Sequence, residues 1–215
     1  MESRDLRAVA EEVVARFEVI NAARDQALAE GRQIVRLSAN AIRAVHRGES
    51  AEAGALLAEA SRRLRALTAA LAPYPSLYWA GYVQDAMKEY AEAAIAGAVV
   101  QDRPIPTPAA LGVEDAAYLN ALAEAASELR RQVLDLLRAG DLARAERLLG
   151  TMDDVYALLV TIDFPDAITG GLRRTTDQLR GVLERTRGDL TVTSTQHRLE
   201  RALREVQRDL ASEQP

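Results

Sequence analysis

Apolar residues recur along this chain at spacings of three, four and seven, and no stretch alternates with the period of two that a strand requires. Val9, Val13, Phe17 and Ile20, then Leu28, Val35 and Ile42, predict one long helix over about residues 3–47, stopped by Gly48. Ser50 is placed to cap a second helix, over 51–71, that carries Leu56, Leu57, Leu64, Leu67 and Leu71 and ends before Pro73. A third runs from about Pro75 to Val100. The stretch QDRPIPTPAALG, 101–112, has three prolines in five positions and reads as the longest loop, without regular helix. Helices over about 114–138 and 142–162 follow. Ala139-Gly140-Asp141 joins them as antiparallel neighbours, with glycine as the stop and Asp141 as the next cap. Pro165 suits the first turn of a sixth helix reaching about Arg187. The segment 191–215 adds an amphipathic helix through Leu199, Leu203 and Val206 that frays at ASEQP. The pattern is all-α, a single domain over 1–215 with six or seven helices and no internal repeat.

Composition sharpens this picture. Hydrophobic residues make up 48% of the 215 and aromatics only 4%, so alanine, leucine and valine must build the core. Such a core favours closely packed helices. Cysteine is absent, which excludes disulfides, thiolate metal sites and a cysteine nucleophile. The start, MESRDLRAVAEEVV, is too charged for a signal peptide, and AAIAGAVVQ is too short to span a bilayer. A soluble, cytoplasmic protein without a membrane partner is expected. The net charge of −5 argues against indiscriminate nucleic-acid binding. The basic residues are almost all arginine, with Lys88 the only lysine, which suits phosphate recognition, though a general compositional bias gives the same count.

Two pairs of carboxylates then draw the eye. Glu89 and Glu92 stand three apart in MKEYAEAAI, and Glu124 and Glu128 stand four apart in YLNALAEAASELRR. Each pair occupies one helix face, and Ala91, Ala93, Ala121 and Ala125 would let the two helices approach closely. Facing one another, the pairs would form an oxygen cage suited to Mg²⁺ (or Mn²⁺), able to activate water against a phosphodiester. Two solvated acidic faces would carry the same spacing, and Asp85, four before Glu89, fits either reading.

Other chemistries are missing or ambiguous. A di-iron bundle needs glutamate three before histidine, but His46 and His197 have Arg43 and Ser194 there, and both histidines read as surface or helix-end residues. No glycine-rich phosphate loop or serine-histidine-acid arrangement is present. Tyr74, Tyr78, Trp79, Tyr82 and Tyr90 gather near the start of the third helix, where they would stack on bases or serve as core. Arg62, Arg63 and Arg65, and Arg173, Arg174, Arg180, Arg185 and Arg187, would bind phosphate or pair with nearby acids.

The order of motifs adds what spacing alone does not. KEYAEA at 88–93, LGVEDAAYLNALAEAASELRR at 111–131 and AGD at 139–141 resemble the translin superfamily, most strongly over 111–141 and 88–93. IRAVHRG, ending the first helix, fits the same frame. The resemblance implies a single-domain seven-helix subunit and a closed homo-oligomeric shell, usually octameric, around single-stranded RNA or DNA. It also implies that the acidic set of the nuclease-bearing branch, translin-associated factor X, falls on Glu89, Glu92, Glu124 and Glu128. That branch has aspartate where this chain has Glu124; the longer side chain can still bind a metal but moves the oxygen by about a methylene length, where precision of ~1 Å matters.

The expected function is therefore a Mg²⁺-dependent single-strand endoribonuclease. Glu89, Glu92 and Glu124 would hold metal, Glu128 would help or act as base, and Arg62, Arg63, Arg65, Arg173 and Arg174 would hold the nucleic acid. A non-catalytic shell that binds single strands is the alternative. An all-α Mg²⁺-dependent nucleotide pyrophosphohydrolase is a more distant one.

Overall fold

The computed structural model describes residues 6–212, and the helix order among them is α1 (Leu6–His46), α2 (Ser50–Leu71), α3 (Pro75–Tyr78), α4 (Gly81–Val100), α5 (Pro108–Leu111), α6 (Asp115–Ala139), α7 (Leu142–Leu159), α8 (Asp166–Thr169) and α9 (Leu172–Ser212). No strand occurs among the described residues. The expected helix start at residue 3 and the fraying of the last three residues lie outside them.

The long helices form a layered sequence of contacts: α2 on α1, α1 on α4, α4 on α6, and α6 covered by α7 and α9. One buried cluster runs from Ala27 and Leu71 through Met87, Tyr90 and Ala121 to Leu172 and Leu179. A second gathers Ala44, Val45, Val100, Val133, Leu148, Leu183 and Leu190. α1 and α9 cross both clusters in the same direction. α1 reaches out before the first and α9 after the second. No described side chain is buried before Ala27 or after Leu190, so Val14, Phe17, Leu199, Leu203 and Val206 stand exposed.

The apolar series Leu28, Val35, Ile42 flanks the actual seam of α1. The buried positions include Ala27, Gly31, Ile34, Ser38, Ala41 and Val45, spaced alternately by four and three. Size explains the offset. A Cβ at Gly31 would lie 3.5 Å from the Tyr82 carbonyl oxygen and 3.9 Å from Ala86 Cβ, so small residues bring α1 onto α4.

Several boundaries differ from the sequence reading. Ser50 begins α2 itself; Glu49 is the cap residue, and no side chain caps that end. The third helix is broken at Trp79-Ala80, where Ala80 is extended and the Gln84 side chain donates to the Tyr78 carbonyl at 3.0 Å. The proline-rich loop contains one helical turn. Thr107 caps it, accepting from the Ala110 N–H at 3.2 Å, and Pro108 occupies the first turn, where its missing N–H costs nothing. Asp141 caps α7 as expected, accepting from the Arg144 N–H at 3.0 Å.

The sixth helix and the tail are one element. Gly170 and Gly171, at φ 62° and 86°, separate α8 from α9, and α9 then runs unbroken to Ser212. Gly188 fails to interrupt it. A helical glycine costs roughly 1 kcal/mol, whereas burial of Leu183 and Leu190 on either side contributes about 1.5–3 kcal/mol each. Arg130 of α6 also pins the segment, donating to Thr186 Oγ1 at 3.0 Å and Asp189 Oδ2 at 2.7 Å. Among the described residues no helix is long and apolar enough to cross a membrane.

Candidate functional site

α4 is the most enclosed of the described helices. Val83, Ala86, Met87, Tyr90, Ala91, Ala93, Ile95, Ala96 and Ala98 are all buried, and six of these nine are alanine or valine. α6 answers with Ala117, Ala121, Ala123, Ala125 and Ala126. Two contacts between this part of the chain and α6, Tyr78–Glu114 and Lys88–Glu124, share an offset of 36 residues. A constant offset means that α4 and α6 run in the same direction, with 101–114 as the return crossover.

The consequence is a convergence of charge. Oxygens of Glu89, Glu92 and Glu124 all lie within 4.8 Å of one another. Lys88 Nζ donates to Glu124 Oε1 at 2.9 Å, lies 2.8 Å from Glu124 Oε2 and sits 3.4 Å from Glu89 Oε1. Burial pulls the Lys88 pKa down, but the hydrogen bond to Glu124 and the charges of Glu124 and Glu89 outweigh it and raise it overall. Glu92 goes the other way from ordinary carboxylates. Burial, reinforced by the negative charges of Glu89, Glu124 and Glu128, pushes it up to about 8, with Lys88 opposing. Three carboxylate donors, one of them unable to ionise readily in its crowded setting, make a donor set that a hard divalent cation fits.

Glu128 stands outside this trio. Its Oε1 lies 2.6 Å from His46 Nε2, joining the end of α1 to α6 across 82 residues of sequence. A carboxylate offers only lone pairs, so this nitrogen donates, while Nδ1 is buried without a partner. The His46 side chain is 5% exposed against 34% for Glu128, so the imidazole is a fixed post and the carboxylate faces outward. His46 is thus no surface residue. Neither His46 nor Lys88 was among the expected site residues. Lys88 carried a signal, as the single lysine in an arginine-rich chain; His46 carried none beyond its place at a helix end.

The arginines are not brought to the trio. Among the described residues none of Arg62, Arg63, Arg65, Arg173 and Arg174 pairs with any of the four glutamates. Arg62 and Arg63 both hold Glu59, at 2.6 and 2.8 Å, and Arg63 also reaches Glu30 at 2.8 Å. Arg173 and Arg174 are exposed at the start of α9 beside Asp166 and Asp177. A shallow groove of about 570 Å³ on α6 does begin at the site, lined by Glu128, Arg130, Arg131 and Arg138 among others. The aromatic group is dispersed. Tyr90 is buried in the core, and Tyr78 donates to Glu114, with burial and then that bond pushing its pKa up to about 12. Trp79 is exposed and meets the Tyr78 ring edge-on at 5.2 Å. Asp85 is exposed and outside the trio.

The fold carrying this site has close parallels. The structure of AfC3PO in complex with duplex RNA superposes with a TM-score of 0.79 at 34% identity, covering 86% of this chain and 96% of that one. The chain belongs to the translin superfamily. AfC3PO without that RNA gives the same answer, with a TM-score of 0.78 at 34% identity. Apo-NeC3PO shares the translin fold at 19% identity and a TM-score of 0.77, covering 90% of this chain and 99% of that one. Among curated sequences, the uncharacterized protein MJ0175 of Methanocaldococcus jannaschii is 32% identical over 192 residues, 88% of this chain and 85% of the relative. No protein-family model matches the chain. The all-α translin architecture implied by KEYAEA and LGVEDAAYLNAL is therefore the observed one.

Proposed function

We propose that this translin-superfamily protein is a Mg²⁺- or Mn²⁺-dependent endoribonuclease that cuts single-stranded RNA inside a closed homo-oligomeric shell, octameric as the family resemblance implies. The observation that carries the reading is the convergence of Glu89, Glu92 and Glu124 on two parallel, alanine-lined helices. Family membership adds RNA as the substrate class, because AfC3PO has been captured with an RNA duplex.

Glu89, Glu92 and Glu124 would hold the cation. When bound, such an ion supplies positive charge against the phosphodiester and acidifies water. The protein's own groups do the rest. His46 fixes the orientation of Glu128, whose partly exposed carboxylate would take the proton of an attacking water. Arg131, exposed one turn beyond Glu128, lies along the groove where a strand would run, and Arg65, Arg173 and Arg174 would hold backbone phosphates farther out. Arg62 and Arg63 would have to exchange Glu59 for phosphate to join them.

A second reading, an RNA-binding shell without cleavage, is favoured by Lys88, whose single charge is already held by Glu124 with Glu89 close by. The two part in one assay. Single-stranded and duplex RNA are incubated with Mg²⁺, with EDTA, and with the Glu89→Gln/Glu124→Gln variant, and the particle mass is measured on the same sample. Metal-dependent cleavage of single strands, lost in the variant, is the expected result. Cleavage that persists in the variant would sink the site assignment, and binding without cleavage selects the second reading.

A further inference from the structure

Lysine occurs once in this chain, at position 88, and it stands against the carboxylate trio. We propose that Lys88 is a displaceable counter-ion. Its ammonium holds Glu124 and Glu89 while no divalent ion is bound, yields those oxygens to the ion, and passes to a phosphate of the RNA backbone. The inference rests on the metal-binding reading of the trio.

Geometry supplies the first argument. One ammonium contacts both oxygens of Glu124, at 2.9 and 2.8 Å, and lies 3.4 Å from Glu89. These belong to two of the three residues whose oxygens converge within 4.8 Å. A divalent cation seeking the same lone pairs would meet a positive charge at hydrogen-bonding distance from them. Like charges that close repel strongly in a partly buried site, so both cannot keep these contacts. Either the ion is excluded or the ammonium moves.

Residue choice supplies the second. Elsewhere the chain compensates its glutamates with arginine, as where Arg63 bridges Glu59 and Glu30. A guanidinium grips a carboxylate through a rigid fork, whereas an ammonium is a point charge on a flexible four-carbon stem. The Lys88 side chain is 22% exposed, so an outward path exists, on a site whose Glu89 and Glu124 are themselves about one-third open. A freed ammonium has three donors, and phosphate oxygens accept them well. One residue would thereby link metal occupancy to substrate binding.

The test is a Mn²⁺ titration by calorimetry on the full chain without RNA, comparing wild type, Lys88→Met and Lys88→Arg. Removing the competing charge is expected to tighten Mn²⁺ binding by about tenfold or more in Lys88→Met. Lys88→Arg, which keeps the charge and grips harder, should bind Mn²⁺ no more tightly than wild type. At saturating Mn²⁺, Lys88→Met should bind a 2′-O-methyl RNA strand several-fold more weakly than wild type. Mn²⁺ binding by wild type that is unchanged or weakened in Lys88→Met overturns the inference and leaves the metal reading standing. Absence of Mn²⁺ binding in all three proteins overturns both. Unchanged RNA affinity removes the transfer to phosphate. Should Lys88→Met not fold, Lys88→Gln and Lys88→Arg decide the matter, since tighter Mn²⁺ binding by the arginine variant contradicts the proposal.

Discussion

Two glutamates, Glu59 on α2 and Glu92 on α4, show how strongly surroundings decide what a side chain can do. Glu59 meets two guanidiniums, and the hydrogen bond from Arg62, opposed by desolvation and helped by Arg63, holds it at about 2. Glu92 meets two carboxylates in a half-buried crevice and is pushed up to about 8. Both are helical glutamates with charged neighbours one turn away. The first is electrostatically satisfied and finished; the second is an unfilled demand for positive charge. Crowded like charge, rather than acidity as such, distinguishes a candidate site from a solvated face.

The comparison breaks most sharply at the trio. Glu89→Gln together with Glu124→Gln should lower metal-dependent RNA cleavage by about a hundredfold or more, read as the rate at saturating RNA, whereas Glu59→Gln should leave that rate unchanged. His46→Ala comes next. It frees Glu128 and should cost roughly tenfold in cleavage rate, with His46→Gln recovering part of the loss if the Nε2–H donor is what matters.

The pH dependence sharpens the contrast. Glu92 has a folded-state pKa above its ordinary 4.5, so the metal-free fold takes up a proton between that value and about 8. Its stability should therefore be highest below about 4.5 as far as this group is concerned, and fall as pH rises towards 8. Glu92→Gln should abolish that slope and raise the melting temperature at pH 9, by about 2–4 °C for each kcal/mol relieved. Saturating Mg²⁺ should raise the wild-type melting temperature at the same pH. Glu59 has the opposite sign, contributing above 4.5 and losing that contribution as pH falls through about 2. Because its side chain is 36% exposed and water screens its ion pairs, Glu59→Gln should shift melting by less than about 2 °C at pH 7. A larger shift there than at Glu92 would dissolve the distinction.

Much of this was legible in the sequence because it is local. Helical spacing, Gly140 and Asp141 at the α6–α7 joint, and the two glutamate pairs are all properties of neighbouring residues. The extents of α1 and α2 came close for the same reason. What failed to show was non-local. The seam of α1 runs through Ala27, Gly31 and Ser38, residues that hydropathy ranks low and that matter by being small. The continuity of α9 through Gly188 is supported by burial of Leu183 and Leu190 and by Arg130, 59 residues away from Asp189. His46 becomes a site residue only because the end of α1 arrives beside Glu128. Lys88 lies next to Glu89 in sequence, yet its chief partner, Glu124, is on another helix.

The alanine faces of α4 and α6 give the site an unusual sensitivity. Where bulky side chains separate helices, their rotamers can absorb a small change; a methyl group has no rotamer to yield. The spacing between the carboxylates is therefore gauged by backbone against backbone. Sequence drift along this seam, an alanine becoming valine for instance, would widen the gap by fractions of an ångström that a helical body tolerates and a three-carboxylate cluster does not. In this lineage the chemistry would be lost well before the architecture.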